Sequence, residues 1–317
     1  MKIVVLDGYT LNPRDNPWSP IEALGELTVY DRTTPERLIA CAKDADVILT
    51  NKTPISAETL AQLPRLKFIA VLATGYNVVD VVAARKRNIP VSNVPIYGTD
   101  SVAEFVMGLL LELWKQPGLH SKLVKDGAWA ECPDFCFWKS PLTELADKTI
   151  GIIGFGRIGK RVAQLAEAFK MKVLVYKRSQ IDTKGGSYRQ LSLSEVFKQS
   201  DIVTLHCPLT DENAGMVNMS LLSQMKPSAV LINTARGPLV NEADLAAALN
   251  NDVIAGAAVD VVSVEPIAPE NPLPRAKNLI ITPHIAWATL EARTRLMQTS
   301  AENIRAFQDG KPIHLVN

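Results

Sequence analysis

The sequence predicts an α/β protein built on two doubly wound parallel sheets. Three observations carry that expectation. Short apolar runs alternate with helical patterns from the first residues onward. The alternation restarts at Lys148, after an irregular aromatic stretch from Trp129 to Pro141. A glycine-rich turn, Gly154-Phe-Gly156-Arg-Ile-Gly159, lies between a strand and a helix of that second series. Strands separated by helical patterns favour a parallel sheet covered on both faces.

In chain order, Lys2 to Asp7 reads as a buried strand ending in a polar loop. Asp46 to Thr50, Lys67 to Val71 and Ile89 to Ser92 are further strands. Pro35 to Lys43 and Ser56 to Leu63 have helical patterning. Asp100 to Lys125 reads as one long helix. Asp100 or Ser101 is placed to cap it, and Val102, Phe105, Val106, Leu109, Leu110 and Leu113 recur at helical spacing. Pro117 is expected to kink it. The second series holds six strands: 149–153, 172–176, 201–205, 229–232, 255–259 and 279–281. Six strands with helices between them match a nucleotide-binding sheet.

Bulk properties narrow the function classes. A chain of 317 residues allows about two domains of ordinary size. It is 47% hydrophobic and 21% charged, which suits a globular protein. A net charge of +1, with Lys and Arg spread along the chain, gives no electrostatic case for a nucleic-acid partner. Cys41, Cys132, Cys136 and Cys207 form no C-x-x-C pair, and the four histidines do not join them at metal-ligand spacing. No metal is expected. The N-terminal apolar run, Ile3 to Leu6, is too short for a signal segment. No run approaches the length of a membrane span. A cytoplasmic protein with reduced thiols is the expectation, without a membrane partner.

The turn at Gly154, Phe155, Gly156, Arg157, Ile158 and Gly159 has the strand–turn–helix setting that a dinucleotide fingerprint requires. The first glycine allows the tight turn, the second admits the pyrophosphate, and the third lets helix and strand pack. An adenosyl-methionine site, or an ordinary tight turn, is the alternative. An NAD site usually places Asp or Glu at the end of the next strand. Here that position reads Lys177-Arg178-Ser179, with no carboxylate before Asp182. A cation pair suits the 2′-phosphate of NADP, because guanidinium pairs bidentately with phosphate. NAD(P) is therefore the expected cofactor, with NADP favoured. The bland alternative makes Lys177 and Arg178 solvated surface charges.

Three residues downstream suggest chemistry. Arg236 follows one predicted strand, Glu265 lies beyond another, and His284 follows the last. Ligands of such sheets bind at the carboxyl ends of strands. Arg236 offers a planar fork of donors for a carboxylate and an adjacent ketone. His284 is matched to donate a proton to a ketone oxygen near neutral pH. Glu265 beside it would orient the imidazole and favour its charged form. Taken singly, each has a plainer explanation: a surface charge, a turn residue, a packing histidine.

Together with these residues, several ordered motifs resemble the D-isomer-specific 2-hydroxyacid dehydrogenase family. They are Ala73-Thr-Gly75-Tyr-Asn77, Ser101-Val-Ala-Glu104, Gly154 to Gly159, Leu205-His-Cys-Pro-Leu-Thr210, Asn233-Thr-Ala-Arg-Gly237, Asp260 to Pro266 and Thr282-Pro-His284. The resemblance spans nearly the whole chain. It implies a Rossmann cofactor domain (100–285) inserted into a flavodoxin-like substrate domain (1–99 plus 286–317). It implies a small 2-oxo or 2-hydroxy acid substrate, bound by backbone N–H groups of Ala73, Thr74 and Gly75. It assigns Arg236, Glu265 and His284 as catalytic. It places Pro208, Thr234 and Ala235 beside the cofactor, and Asp260 on the nicotinamide carboxamide. It also implies a homodimer paired through the cofactor domain.

Within the family, His284-Ile-Ala-Trp287 and Phe135-Cys-Phe-Trp138, with Pro141 and Glu144-Leu145, resemble the glycerate dehydrogenase/hydroxypyruvate reductase branch. Trp287 either roofs a compact substrate pocket or is a buried aromatic at the domain junction. The competing reading from another class is a nucleotide-sensing module, similar to the corepressors that share this fold.

Overall fold

The structure, a computed structural model, describes residues 1–180 and 188–317. It divides into two compact units: Met1–Gly98 with Trp287–Asn317, and Thr99–Ala286. Asp182, named above as the next carboxylate after Arg178, lies outside the described residues.

The first unit holds β1 (Lys2–Val5), β2 (Glu26–Val29), β3 (Val47–Thr50), β4 (Phe68–Val71) and β5 (Val91–Ser92), in the order β2-β1-β3-β4-β5. All pairs are parallel. This is the flavodoxin-like order. Successive side chains of a strand face opposite ways. Ile3, Val5, Val47, Leu49, Phe68 and Ala70 therefore enter one core, and Val4, Ile48, Ile69 and Val71 the other. The helix Leu290–Gln308 covers the first core with Leu296, Met297 and Ile304, and Phe307 stacks on Phe68 at 4.6 Å.

The strand order reverses between β1 and β3, and one carboxylate ties their ends. Asp7 accepts the backbone N–H groups of Asn51, Lys52 and Thr53 at 2.6–2.7 Å. β2 was not expected from the sequence. It is an edge strand with alternate residues half-exposed, and Glu26-Leu-Thr-Val29 holds too few apolar residues to stand out.

The second unit holds β6 (Thr149–Ile153), β7 (Lys172–Tyr176), β8 (Arg189–Gln190), β9 (Ile202–Leu205), β10 (Val230–Asn233), β11 (Gly256–Val259) and β12 (Leu279–Ile281). Their order is β12-β11-β10-β9-β6-β7-β8, all parallel. The order reverses between β6 and β9, the Rossmann switch point. Ile150, Ile152, Val230 and Ile232 pack on one face; Ile153, Val203, Leu205 and Leu231 pack on the other. β8 adds a seventh strand to the six expected; two residues are too short to show a period.

The single helix expected over Asp100 to Lys125 is two helices, Thr99–Lys115 and Pro117–Lys125. Gln116 between them is left-handed, at φ 48°. Pro117 has no N–H to continue the ladder and disfavours the helical region for the residue before it. It therefore starts a new helix instead of bending one. Among the described residues, no helix is long and apolar enough to cross a membrane, and no group of three His, Cys, Asp or Glu side chains is placed to hold a metal ion.

Candidate active site

The glycine-rich turn follows β6 at the switch point. Gly154 adopts φ 97°, which L side chains rarely do, and its N–H donates to the Tyr176 carbonyl at the end of β7 (2.9 Å). A Cβ on Gly154 would come within 2.6 Å of the backbone of His206 and Cys207, the residues following β9. A Cβ on Gly159 would overlap the Gly154 carbonyl, so the helix Arg157–Ala168 can sit against the turn only with glycine there. A Cβ on Gly156 would meet nothing within 4 Å. That open face lies at the N-terminus of a 12-residue helix, where unpaired N–H groups and the helix dipole favour an anion.

Phe155 belongs to the expected cofactor-binding turn, but its side chain is in the core, 3% exposed and 4.9 Å from the Tyr188 ring. Only its backbone remains for such a contact. Ile158 is half-buried against the same core, and Arg157 is exposed.

Two neighbouring groups in this corner do not carry charge at neutral pH. Burial holds the His206 imidazole down to about 3, and its Nε2 is 2.9 Å from the Thr204 hydroxyl. Burial also pushes the Cys207 thiol up, partly offset by a backbone hydrogen bond and the Arg178 charge. Lys177, Arg178 and Ser179 are exposed at the end of β7. Gln190 of β8 donates through Nε2 to the carbonyls of Lys177 and Ser179, at 2.9 and 3.0 Å. Arg178 forms an ion pair with Glu212, Nη1 to Oε2 at 2.8 Å. Nothing in the sequence linked those two positions.

Arg236, Glu265 and His284 follow β10, β11 and β12, three adjacent strands, at one end of one sheet. Strand spacing puts the first and last of these loops about 10 Å apart at the backbone. The Arg236 turn is closed by the buried Asn233. Its Nδ2 donates to the Arg236 carbonyl (2.9 Å), and its Oδ1 accepts the Ala235 N–H (3.0 Å). Arg236 itself is exposed, with Nη1 donating to the Ala235 carbonyl at 2.6 Å. The Thr234 hydroxyl oxygen is buried without a hydrogen-bond partner. A buried polar atom left unpaired is costly and calls for a partner. It stands with the open Gly156 face as a feature that suits a polar dinucleotide, so the residues present fit NAD(P).

Gly237 lets this turn lie against the next loop, since its Cβ would overlap the carbonyl group of Val262. Gly237→Ala is expected to destabilise the protein by about 3 kcal/mol, the upper range for forcing atoms into filled space. Urea unfolding measures it; a change of a few tenths would show that the backbone yields freely.

Glu265 and His284 meet directly, Glu265 Oε2 to His284 Nδ1 at 2.7 Å, each about one-third exposed. Glu242 fastens the Glu265 loop, accepting the Ser263 N–H (2.6 Å) and the Asn271 Nδ2 (2.7 Å). His284 is left-handed at φ 56°, a conformation few non-glycine residues adopt. Asp260, 1% exposed at the end of β11, holds that backbone in place. It accepts the Thr282 hydroxyl (2.6 Å) and the N–H groups of Ile285 (2.9 Å) and Ala286 (2.8 Å). The family resemblance puts Asp260 on the nicotinamide carboxamide; its partners in the structure are the loop that presents His284. Glu242 and Glu212 were not singled out from the sequence, and Asn233 and Thr282 stood there only as the first residues of motifs. Single polar residues at strand ends, in a turn or on the first turn of a helix give no periodic signal.

In the first unit, the loop at Ala73, Thr74 and Gly75 follows β4. Thr74 donates through Oγ1 to the Val94 carbonyl (2.8 Å) and accepts Asn93 Nδ2 at its own carbonyl (2.7 Å). Trp287 is half-exposed, edge-on to Tyr97 at 6.2 Å.

The comparisons with known proteins agree with this layout. Residues 107–286 match the model of the D-isomer specific 2-hydroxyacid dehydrogenase NAD binding domain. The chain is 49% identical over 323 residues to a hydroxypyruvate reductase of Blautia hydrogenotrophica, covering 100% of both chains. It is 42% identical over 294 residues to a glycerate dehydrogenase of Methylorubrum extorquens, covering 92% of both. Among solved structures, an acyclic imino acid reductase in complex with NADPH and D-Arg superposes with a TM-score of 0.85 at 33% identity, covering 100% of both chains. Matches of this identity and coverage show that the chain belongs to the D-isomer specific 2-hydroxyacid dehydrogenase family and is an oxidoreductase.

Proposed function

We propose that this protein is an NAD(P)H-dependent reductase of small 2-oxo acids, with hydroxypyruvate or glyoxylate as substrate. The observation that carries the reading is the 2.7 Å contact between His284 Nδ1 and Glu265 Oε2, on the sheet end that also bears Arg236 and the glycine turn. The full-length relatives named hydroxypyruvate reductase and glycerate dehydrogenase support the substrate class.

Bound nicotinamide supplies the hydride that C2 of the oxo acid accepts. The remaining tasks fall to side chains. With Nδ1–H given to the Glu265 carboxylate, the tautomer leaves Nε2 as the nitrogen that delivers a proton to the ketone oxygen. Glu265 steadies the imidazolium until that proton leaves. The Arg236 fork grips the carboxylate and draws electron density from the ketone. In the reverse direction Nε2 accepts the proton. The nucleotide-sensing alternative is not favoured, because the full-length relatives are named for catalysis.

NADP(H) is our preferred cofactor, held at its 2′-phosphate by Arg178 and Lys177. We also take the protein to be a cytoplasmic homodimer. The exposed aromatics Trp129, Phe135 and Trp138 of the cofactor unit support a subunit interface there.

A matrix of hydroxypyruvate, glyoxylate, pyruvate and phenylpyruvate against both cofactors tests the reading through kcat/KM. Hydroxypyruvate or glyoxylate should lead. Cofactor binding without turnover on any of the four would overturn it. Arg178→Ala should weaken NADPH binding about 10- to 100-fold, the weight of a charge-assisted phosphate contact, and leave NADH nearly unchanged. Equal losses for both would remove Arg178 from the phosphate.

A further inference from the structure

We propose that Glu212 tempers the NADPH affinity of this protein by occupying the guanidinium that a 2′-phosphate would need. This rests on the dinucleotide reading of the glycine turn and of Arg178. Three observations support it. Arg178 Nη1 lies 2.8 Å from Glu212 Oε2, so the cation at the end of β7 already has an anion. Both partners are held on fastened backbone. Gln190 Nε2 bonds the carbonyls on either side of Arg178. Asn213, next to Glu212, closes its own loop by donating to the Pro208 carbonyl (2.8 Å) and accepting the Thr210 N–H (2.7 Å). The pair also stands in the cofactor corner, since Arg178 lies two residues beyond Tyr176, whose carbonyl accepts the Gly154 N–H at 2.9 Å.

The consequence is a site with two settings. With NADH, whose ribose ends in a hydroxyl, Arg178 keeps Glu212 and neither charge loses its partner. With NADPH, the phosphate must take Arg178 from Glu212, and the carboxylate then stands within reach of a like charge. Glu212 thus lowers the affinity for the phosphorylated cofactor and leaves the other untouched. Both members are well exposed, at 66% and 78% of their side chains. Exposed pairs are weak, so the effect is a tuning of preference and not an exclusion.

The test is cofactor binding without turnover, followed by nicotinamide fluorescence on the full chain. Glu212→Gln should tighten NADPH about two- to fivefold, the range that exposed ion pairs allow, with NADH unchanged. The 2′,5′-bisphosphate of adenosine should compete more strongly in the variant by the same factor, while 5′-AMP should not. Most of the gain should vanish in an Arg178→Ala background. An unchanged NADPH affinity in Glu212→Gln, beside a selective NADPH loss in Arg178→Ala, would overturn the role of Glu212 and spare the Arg178 reading. No selective loss in Arg178→Ala would overturn both. A full gain that persists without Arg178 would mean simple charge repulsion and would overturn the pairing.

Discussion

Replacing His284 by Asn should cut kcat for 2-oxo acid reduction about a thousandfold, within the range that a positioned general acid contributes. Asn keeps a polar group of similar reach and tolerates the left-handed backbone that His284 adopts at φ 56°. The loop should therefore hold, and NADPH binding should stay near that of the parent. Only the transferable proton on Nε2 is lost. The Glu265 carboxylate, now facing an amide, cannot replace it. Stopped-flow oxidation of NADPH with hydroxypyruvate separates the step from cofactor binding. A loss of less than tenfold would show that the proton comes from another group, and the assignment of His284 would fall.

The second large effect is expected at Asp260, and it concerns stability as well as rate. One buried carboxylate serves three donors on the His284 loop: the Thr282 hydroxyl and the N–H groups of Ile285 and Ala286. Asp260→Ala leaves the N–H of the buried Ala286 and that of Ile285 without their acceptor. Each unsatisfied donor costs about 1–3 kcal/mol, so a loss of about 3–5 kcal/mol is expected in urea unfolding. Asp260→Asn should cost less, because its amide oxygen still accepts on one side while its NH2 faces a donor. Both variants should lose activity in proportion to the misplacement of His284. If Asp260→Ala unfolds at the parent's urea midpoint, the carboxylate is not what holds the loop.

Much of this architecture was legible in the sequence, for identifiable reasons. Buried parallel strands write themselves as apolar runs, so β1, β3, β4 and the six longer strands of the second unit stood out. The glycine turn was readable because each glycine answers a different local demand: a left-handed φ, an open face, a close approach. That Arg236, Glu265 and His284 lie at one end of the sheet was readable because each falls in the segment after a strand. What escaped was held by tertiary contact. The edge strand β2 and the two-residue β8 exist by pairing with neighbours, which no local pattern reports. The break at Gln116 turned on whether Pro117 bends a helix or begins one. The partner of Arg178 lies 34 positions away on another loop. Asp260 was readable as a polar residue at a strand end, yet its three bonds depend on how β12 leaves the sheet.

The Cys207 environment has a consequence for the chemical durability of the cofactor corner. Sulfur attacks electrophiles and peroxides as its anion, and burial keeps this thiol protonated. Its main-chain nitrogen would lie 2.6 Å from a Cβ at Gly154, so the residue sits beside the dinucleotide turn while its side chain packs on the core. An inert sulfur at that spot means oxidants in the medium meet little reactivity where damage would be most harmful.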